Sequence, residues 1–159
     1  MTAVILTAAA GAVVLADHGH TPFDALFERV GLEQSVDPDL LRAIARRESS
    51  FVASAVSPPN ANGTRDYGLM QINEATARAL GRDAAKLLDP EYNVRTAVEL
   101  LKRLKQELGS QFDSMTWVAA YNAGSPAIKA RGIFNVVYVS GVVFHWLAYT
   151  LARQAKGGK

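Results

Sequence analysis

Glu48 sits where a carboxyl can do proton chemistry. Leu41, Ile44 and Glu48 fall at i, i+3 and i+7 of a helix expected after Asp37-Pro38, so Glu48 extends its apolar stripe. Arg42, Arg46 and Arg47 lie mostly off that stripe. A carboxyl on an apolar face is partly desolvated, which disfavours its charged form and raises its pKa. That is the condition for a general acid working near neutral pH. The same spacing also fits a glutamate at a fraying helix end, turned to solvent or paired with an arginine. Asp66 is the nearest second carboxyl, in a loop rich in Asn and Gly. A solvent-facing turn aspartate is its default role, and a direct part in catalysis is the alternative. With no cysteine, thiolate metal sites, cysteine nucleophiles and disulfides are excluded. His18, His20 and His145 form no ligand cluster such as HExxH, so neither a metal nor another cofactor is expected.

The elements that must position Glu48 are readable from caps and periodicity. The chain has 159 residues, about half apolar and a fifth charged, which suits one domain with its own core. A formal charge of +2 gives a mild pull towards anionic surfaces and is no nucleic-acid footprint. Residues 1–16 read as a signal peptide, with an uncleaved N-terminal anchor as the alternative: an apolar, Ala-rich run with small residues before Asp17, though without a Lys or Arg ahead of it. An exported, periplasmic protein is the consequence. Thr21-Pro22 reads as a helix start, with Gly31 as its end. Residues 54–66 read as loop, and Asn73 as the cap of a short helix ended by Gly81. Residues 93–108 form a clear amphipathic helix stopped by Gly109, and Asp113 caps another running to Ala120. Residues 134–139 are the only stretch resembling a strand. Residues 133–151 carry no formal charge; length admits a membrane span, but Asn135, Ser140 and His145 favour a buried core helix. The expected fold is a mainly α single domain.

Four blocks in order carry a family resemblance: Glu48-Ser49-Ser50-Phe51, Val56-Ser57-Pro58, residues 67–73 (Tyr-Gly-Leu-Met-Gln-Ile-Asn), and Ala120-Tyr121-Asn122-Ala123-Gly124. With Leu88-Asp89-Pro90-Glu91-Tyr92-Asn93-Val94 between them, they resemble lytic transglycosylases with the soluble-transglycosylase, lysozyme-like catalytic domain, over roughly residues 37–140. The resemblance implies a lysozyme-like α domain, or α+β with minimal strand, at 37–153, after an N-terminal helix at 17–36 and before a basic tail at 154–159. It implies that Glu48 is the catalytic acid/base and that the substrate is the glycan strand of peptidoglycan. Ser57 matches a serine near the reacting sugar. Gly68, Leu69, Met70 and Gln71 match a cleft-lining segment. Tyr121 and Asn122 match a motif whose tyrosine lies near the catalytic carboxyl, and Tyr138 matches a later tyrosine. Each has a plainer role open to it: a turn for Ser57, helix-entry capping for Gln71 and Asn73, core packing for Tyr121 and a helix end for Asn122-Ala123-Gly124.

Glycoside cleavage commonly uses two carboxylates. With Glu48 alone well placed, the natural route is substrate assistance by the N-acetyl group and closure of a 1,6-anhydro ring without water. A hydrolytic muramidase with Asp66 positioning water is the alternative, and an inactive wall-binding assembly component is one of another class. The stretch between Ser57 and Gly68 is longer than the commoner family pattern and holds Asn60, Asn62 and Gly63. In this it is similar to small transglycosylases that accompany secretion and conjugation machines, which would be its partners. A monomer is expected.

Overall fold

The computed structural model describes residues 20–157. The expected signal peptide, residues 1–16, lies outside them. The described chain runs α1 (Asp24–Gln34), α2 (Pro38–Ser49), β1 (Asp66–Tyr67), β2 (Ile72–Asn73), α3 (Glu74–Ala79), a 3-10 turn (Ala84–Lys86), α4 (Pro90–Leu108), α5 (Ser114–Ala123), α6 (Ser125–Arg131) and α7 (Val136–Gly157). The expected mainly α fold with minimal strand is what forms.

Local chemistry explains most boundaries. Asp37, Asn73, Asp89 and Asp113 each accept a backbone N–H from the first turn of the helix they precede. Each such cap stabilises by about 1 kcal/mol. Pro38 and Pro90 supply the preset φ of a first helical residue. On α4 the stripe Val94, Ala97, Val98, Leu101, Leu104 and Leu108 is buried, as its spacing predicts. α2 packs between α1 and α7, and α5 lies against α4, α6 and α7. Glu48 is therefore carried on a helix held from two sides.

Four expectations need correction. α1 begins at Asp24, although the Thr21 hydroxyl still accepts the Phe23 N–H at 3.2 Å. Gly31 does not end it. The helix continues to Gln34, and Ser35 closes it at φ 55°. Gly31 is needed because a Cβ there would stand 2.7 Å from the Val36 carbonyl oxygen, where the chain doubles back into α2. Residues 134–139 form no strand; from Val136 onward they are α7. The strands are two residues long, pairing Asp66 with Asn73 and Tyr67 with Ile72, too short to show alternation.

α7 is also not wholly buried. It is long and apolar enough over Val136–Ala155 to cross a membrane. Its inner face, with Tyr138, Val142 and Tyr149, packs into the domain, while Val137, Phe144, Leu147 and Leu151 face outward. Its C-terminal end is tied down through Arg153 to buried Asp39 at 2.8 Å, and Asp39 also holds Arg42, which reaches Asp24 of α1.

The hairpin turn is held by Asn93. Its amide donates to the carbonyls of Tyr67 and Leu87, both at 2.8 Å, and its oxygen accepts the Met70 N–H at 2.7 Å. Gly68, at φ 78°, passes so close that a Cβ would lie 2.5 Å from the Leu87 oxygen and 2.6 Å from the Asn93 amide nitrogen. Glycine is required there by conformation and by space together.

Candidate active site

Glu48 occupies the last turn of α2. Immediately beyond it the chain turns left-handed twice, at Ser50 (φ 51°) and Phe51 (φ 66°), which stops the helix. Side chains other than glycine resist this conformation, so surrounding contacts must enforce it. The Ser49 hydroxyl donates to the Leu69 carbonyl at 2.8 Å, and the Phe51 ring meets Phe27 and Tyr149 at 6.2 and 6.5 Å. The helix end is thereby fixed to the hairpin turn and to α1 and α7.

The Glu48 carboxyl accepts a hydrogen bond from the Tyr138 hydroxyl at 2.5 Å. Burial pushes its pKa up to about 7. The Tyr138 hydrogen bond opposes that rise, the negative charge of Asp66 adds to it, and the Arg47 cation opposes it. Tyr138 is itself held far above the usual tyrosine range, first by burial and then by the Glu48 charge, so it remains a donor. The Arg47 guanidinium stands 5.9 Å over the Tyr138 ring. At neutral pH a large share of Glu48 is therefore protonated and able to give a proton.

Glu48 and Asp66 line one polar cleft of about 380 Å³, together with Asn60, Gln71, Asn73, Tyr121 and Asn122. Asp66 is not a loose turn residue. It lies in β1, where its carboxylate accepts the Asn73 amide at 2.8 Å and the Asn60 amide at 3.3 Å. Asn73 serves two ends at once, since its oxygen caps α3 through the Ala75 N–H at 2.9 Å. Among the described residues no three His, Asp or Glu side chains gather as metal ligands.

The expected site residues divide sharply. Glu48, Asp66, Gln71, Tyr121, Asn122 and Tyr138 come together around the cleft. Gln71 adopts φ 46° and its amide donates to the Gly68 and Ala55 carbonyls at 3.0 and 3.3 Å. Leu69 and Met70 are corrected: both side chains have 0% exposure and belong to the core. Gly68 is buried too and offers substrate no side chain. What this segment lends the site is its backbone, through the Leu69 carbonyl that holds Ser49 and the Met70 carbonyl that accepts the Tyr121 hydroxyl at 2.8 Å. The tyrosine hydrogen-bonded to Glu48 is Tyr138, while Tyr121 bonds the Met70 carbonyl. Tyr121 nevertheless lies close enough that the Glu48 and Asp66 charges, after burial, raise its pKa well above 10.0. Ser57 is placed as a clip: its hydroxyl accepts the Asp66 N–H at 2.9 Å and donates to the Pro58 carbonyl at 2.8 Å.

Asn60 and Asn93 are structural members that the sequence reading did not single out for these roles. Asn93 left one signal, a polar residue at a core-facing position in register with Ala97, Leu101, Leu104 and Leu108. Asn60 left none, because its partner Asp66 is reached only after the loop folds back.

Loss of the Tyr138 hydroxyl removes a bond that favours the carboxylate form of Glu48. A reaction that needs protonated Glu48 fades as pH rises through about 7. In Tyr138→Phe the alkaline limb of the pH–rate profile is expected to move to higher pH. A limb left in place would separate Tyr138 from the proton donor.

Comparison with known proteins places the chain in one family. Residues 25–132 match the family model "Transglycosylase SLT domain". Protein IpgF of Shigella flexneri is 35% identical over 109 residues, which cover 66% of this chain and 69% of that protein. Peptidoglycan transglycosylase gp16 of Escherichia phage T7 is 34% identical over 107 residues, 64% of this chain and 8% of that much longer one. The 70 kDa soluble lytic transglycosylase SLT70 of Escherichia coli overlays 91% of this chain with a TM-score of 0.63 at 26% identity. The chain spans about a quarter, 26%, of that solved structure. With matches to one family over most of its length, the chain belongs to the transglycosylase SLT domain family.

Proposed function

We propose that this chain is a peptidoglycan lytic transglycosylase in which Glu48 is the single acid/base. The observation that carries the assignment is the setting of Glu48: desolvated, held by Tyr138, with a pKa near 7, on the wall of a polar cleft. Protonated Glu48 gives its proton to the glycosidic oxygen between N-acetylmuramic acid and N-acetylglucosamine. The N-acetyl carbonyl of the muramic residue stabilises the oxocarbenium-like centre. Glu48, now a carboxylate, takes the proton of the C6 hydroxyl, which closes a 1,6-anhydro ring. Gln71 and Asn122 offer polar contacts to the sugars along the cleft.

Asp66 supports a second reading. Its carboxylate lines the same cleft and is oriented by Asn60 and Asn73, the placement a second carboxylate needs in a hydrolytic muramidase. In the transglycosylase reading its charge faces the developing positive centre; in the hydrolytic one it positions water. Product mass decides between them. Purified peptidoglycan digested by the wild-type chain is expected to yield fragments ending in anhydromuramic acid, lighter by one water than reducing ends. Predominantly reducing ends would transfer the assignment to hydrolysis.

The substrate lies outside the cytoplasm, which suits an exported, periplasmic enzyme. Action as a monomer is part of the same proposal. The long stretch between Ser57 and Gly68 supports a narrower role, opening the wall locally for a secretion or conjugation apparatus. That stretch folds back on itself, with Asn60 N–H on the Thr64 carbonyl at 2.7 Å, and puts Asn60 and Asp66 in the lining of the cleft.

A further inference from the structure

Away from the catalytic cleft, an apolar groove of about 490 Å³ opens between the α1–α2 junction, α4, the start of α5, and α7. On α4 the two sites use different faces: Leu100 and Leu104 border the cleft, whereas Leu101, Lys102 and Lys105 border the groove. Leu40, Leu101 and Val118, all buried, make its floor. Trp117 and Trp146 line it, and these are the chain's two tryptophans.

The polar groups around the groove have one bias. Trp146 is anchored, donating its indole N–H to Asp37 at 2.8 Å. Trp117 has no such anchor: its N–H finds no acceptor among the described residues, and Lys105 lies 4.7 Å over its ring. Lys102 donates to the neutral Gln34 at 2.8 Å. Neither lysine meets a carboxylate among the described residues. Asp37, the one acidic residue of the lining, is already engaged by Trp146 and by the Asp39 N–H at 2.9 Å. A pocket of this size with an aromatic wall suits a side-chain anchor, and its two cations are left for an incoming anion.

We propose that this groove binds an acidic peptide segment of a partner protein. An apolar side chain of that segment enters beside the two indoles, and flanking Asp or Glu carboxylates meet Lys102 and Lys105. Charge complementarity selects the partner, because a neutral apolar peptide leaves both ammonium groups unanswered. The floor of Leu40, Leu101 and Val118 offers a sugar no hydrogen-bonding partner, and glycan stacked on the two indoles is the rival occupant that the experiment must exclude. The proposal stands apart from the role of Glu48.

Both tryptophans line the groove, so selectively excited tryptophan emission reports its occupancy directly. The experiment titrates the full chain with the blocked peptide acetyl-Asp-Leu-Phe-Glu-amide, which contains no tryptophan. A saturable change in emission is expected. It should weaken about tenfold or more against the amide analogue acetyl-Asn-Leu-Phe-Gln-amide, and by a similar factor in the Lys102→Glu, Lys105→Glu double variant. The milder pair Lys102→Gln, Lys105→Gln removes the charges without reversing them and should weaken binding in the same direction. Peptidoglycan cleavage by these variants without peptide should match the wild type. No saturable change, or equal affinity for the acidic and neutral peptides, would overturn the proposal. So would an emission change produced by disaccharide-peptide muropeptides or by phosphatidylglycerol vesicles in place of the peptide.

Discussion

Glu48→Gln is expected to abolish peptidoglycan cleavage and to make the folded protein more stable at neutral pH. The kinetic loss should be about 10³-fold, the scale of a positioned general acid. Glutamine keeps the shape and can still accept from Tyr138, so the cleft remains formed while the transferable proton is gone. The stability change follows from the same burial. The folded carboxyl titrates near 7 and the unfolded one near 4.5. Below pH 4.5 both states hold the proton, and the group adds no pH dependence. Between 4.5 and about 7 the unfolded chain releases its proton more readily than the folded one, so wild-type stability falls as pH rises. Above that window the deficit is about 3 kcal/mol, which the neutral amide escapes. Unfolding of both proteins across pH 4 to 8, each with a cleavage assay, checks both halves. Residual activity of more than a few per cent would remove Glu48 from the acid/base role, and parallel stability curves would remove its raised pKa.

Asn93→Ala is expected to be the most damaging substitution away from the cleft. It strands two carbonyls and one N–H inside the fold, around a residue with 0% exposure. Each unmet buried group costs roughly 1–3 kcal/mol, so the sum is about 4 kcal/mol. For a chain of this size that lowers Tm by roughly 10 °C. Activity should fall with it, because the freed turn carries the Leu69 and Met70 carbonyls that hold Ser49 and Tyr121. Asn93→Asp should fare no better, since a carboxylate cannot donate to the Tyr67 and Leu87 carbonyls. A Tm within about 2 °C of wild type would mean that water replaces the amide.

What was legible in the sequence was local. Asp37, Asn73, Asp89 and Asp113 announce helix starts because a cap acts within three residues of itself, and the α4 stripe is visible because its period is that of the helix. The same period put Glu48 on the apolar face, but the resemblance of the surrounding blocks was needed to single it out as the catalyst. Gly31 misled because a glycine required for close approach looks like one required to end a helix. The hairpin stayed hidden, since two-residue strands have no period. The bond between Tyr138 and Glu48 lay beyond local reasoning: Tyr138 is 90 residues from Glu48, and only the packing of α7 on α2 joins them. Leu69 and Met70 carry a family motif, yet they serve it from the core, through backbone atoms whose orientation no side-chain pattern encodes.

The position of Tyr138 has a consequence for how such an enzyme can evolve. The matched family region ends at residue 132, while Tyr138, the group that holds the Glu48 pKa down against its burial, comes from the helix that follows. The proton donor and one group that adjusts its pKa are thus encoded in separable stretches of the gene. Selection can edit α7 and shift the pH range of cleavage while every residue of the matched region stays as it is.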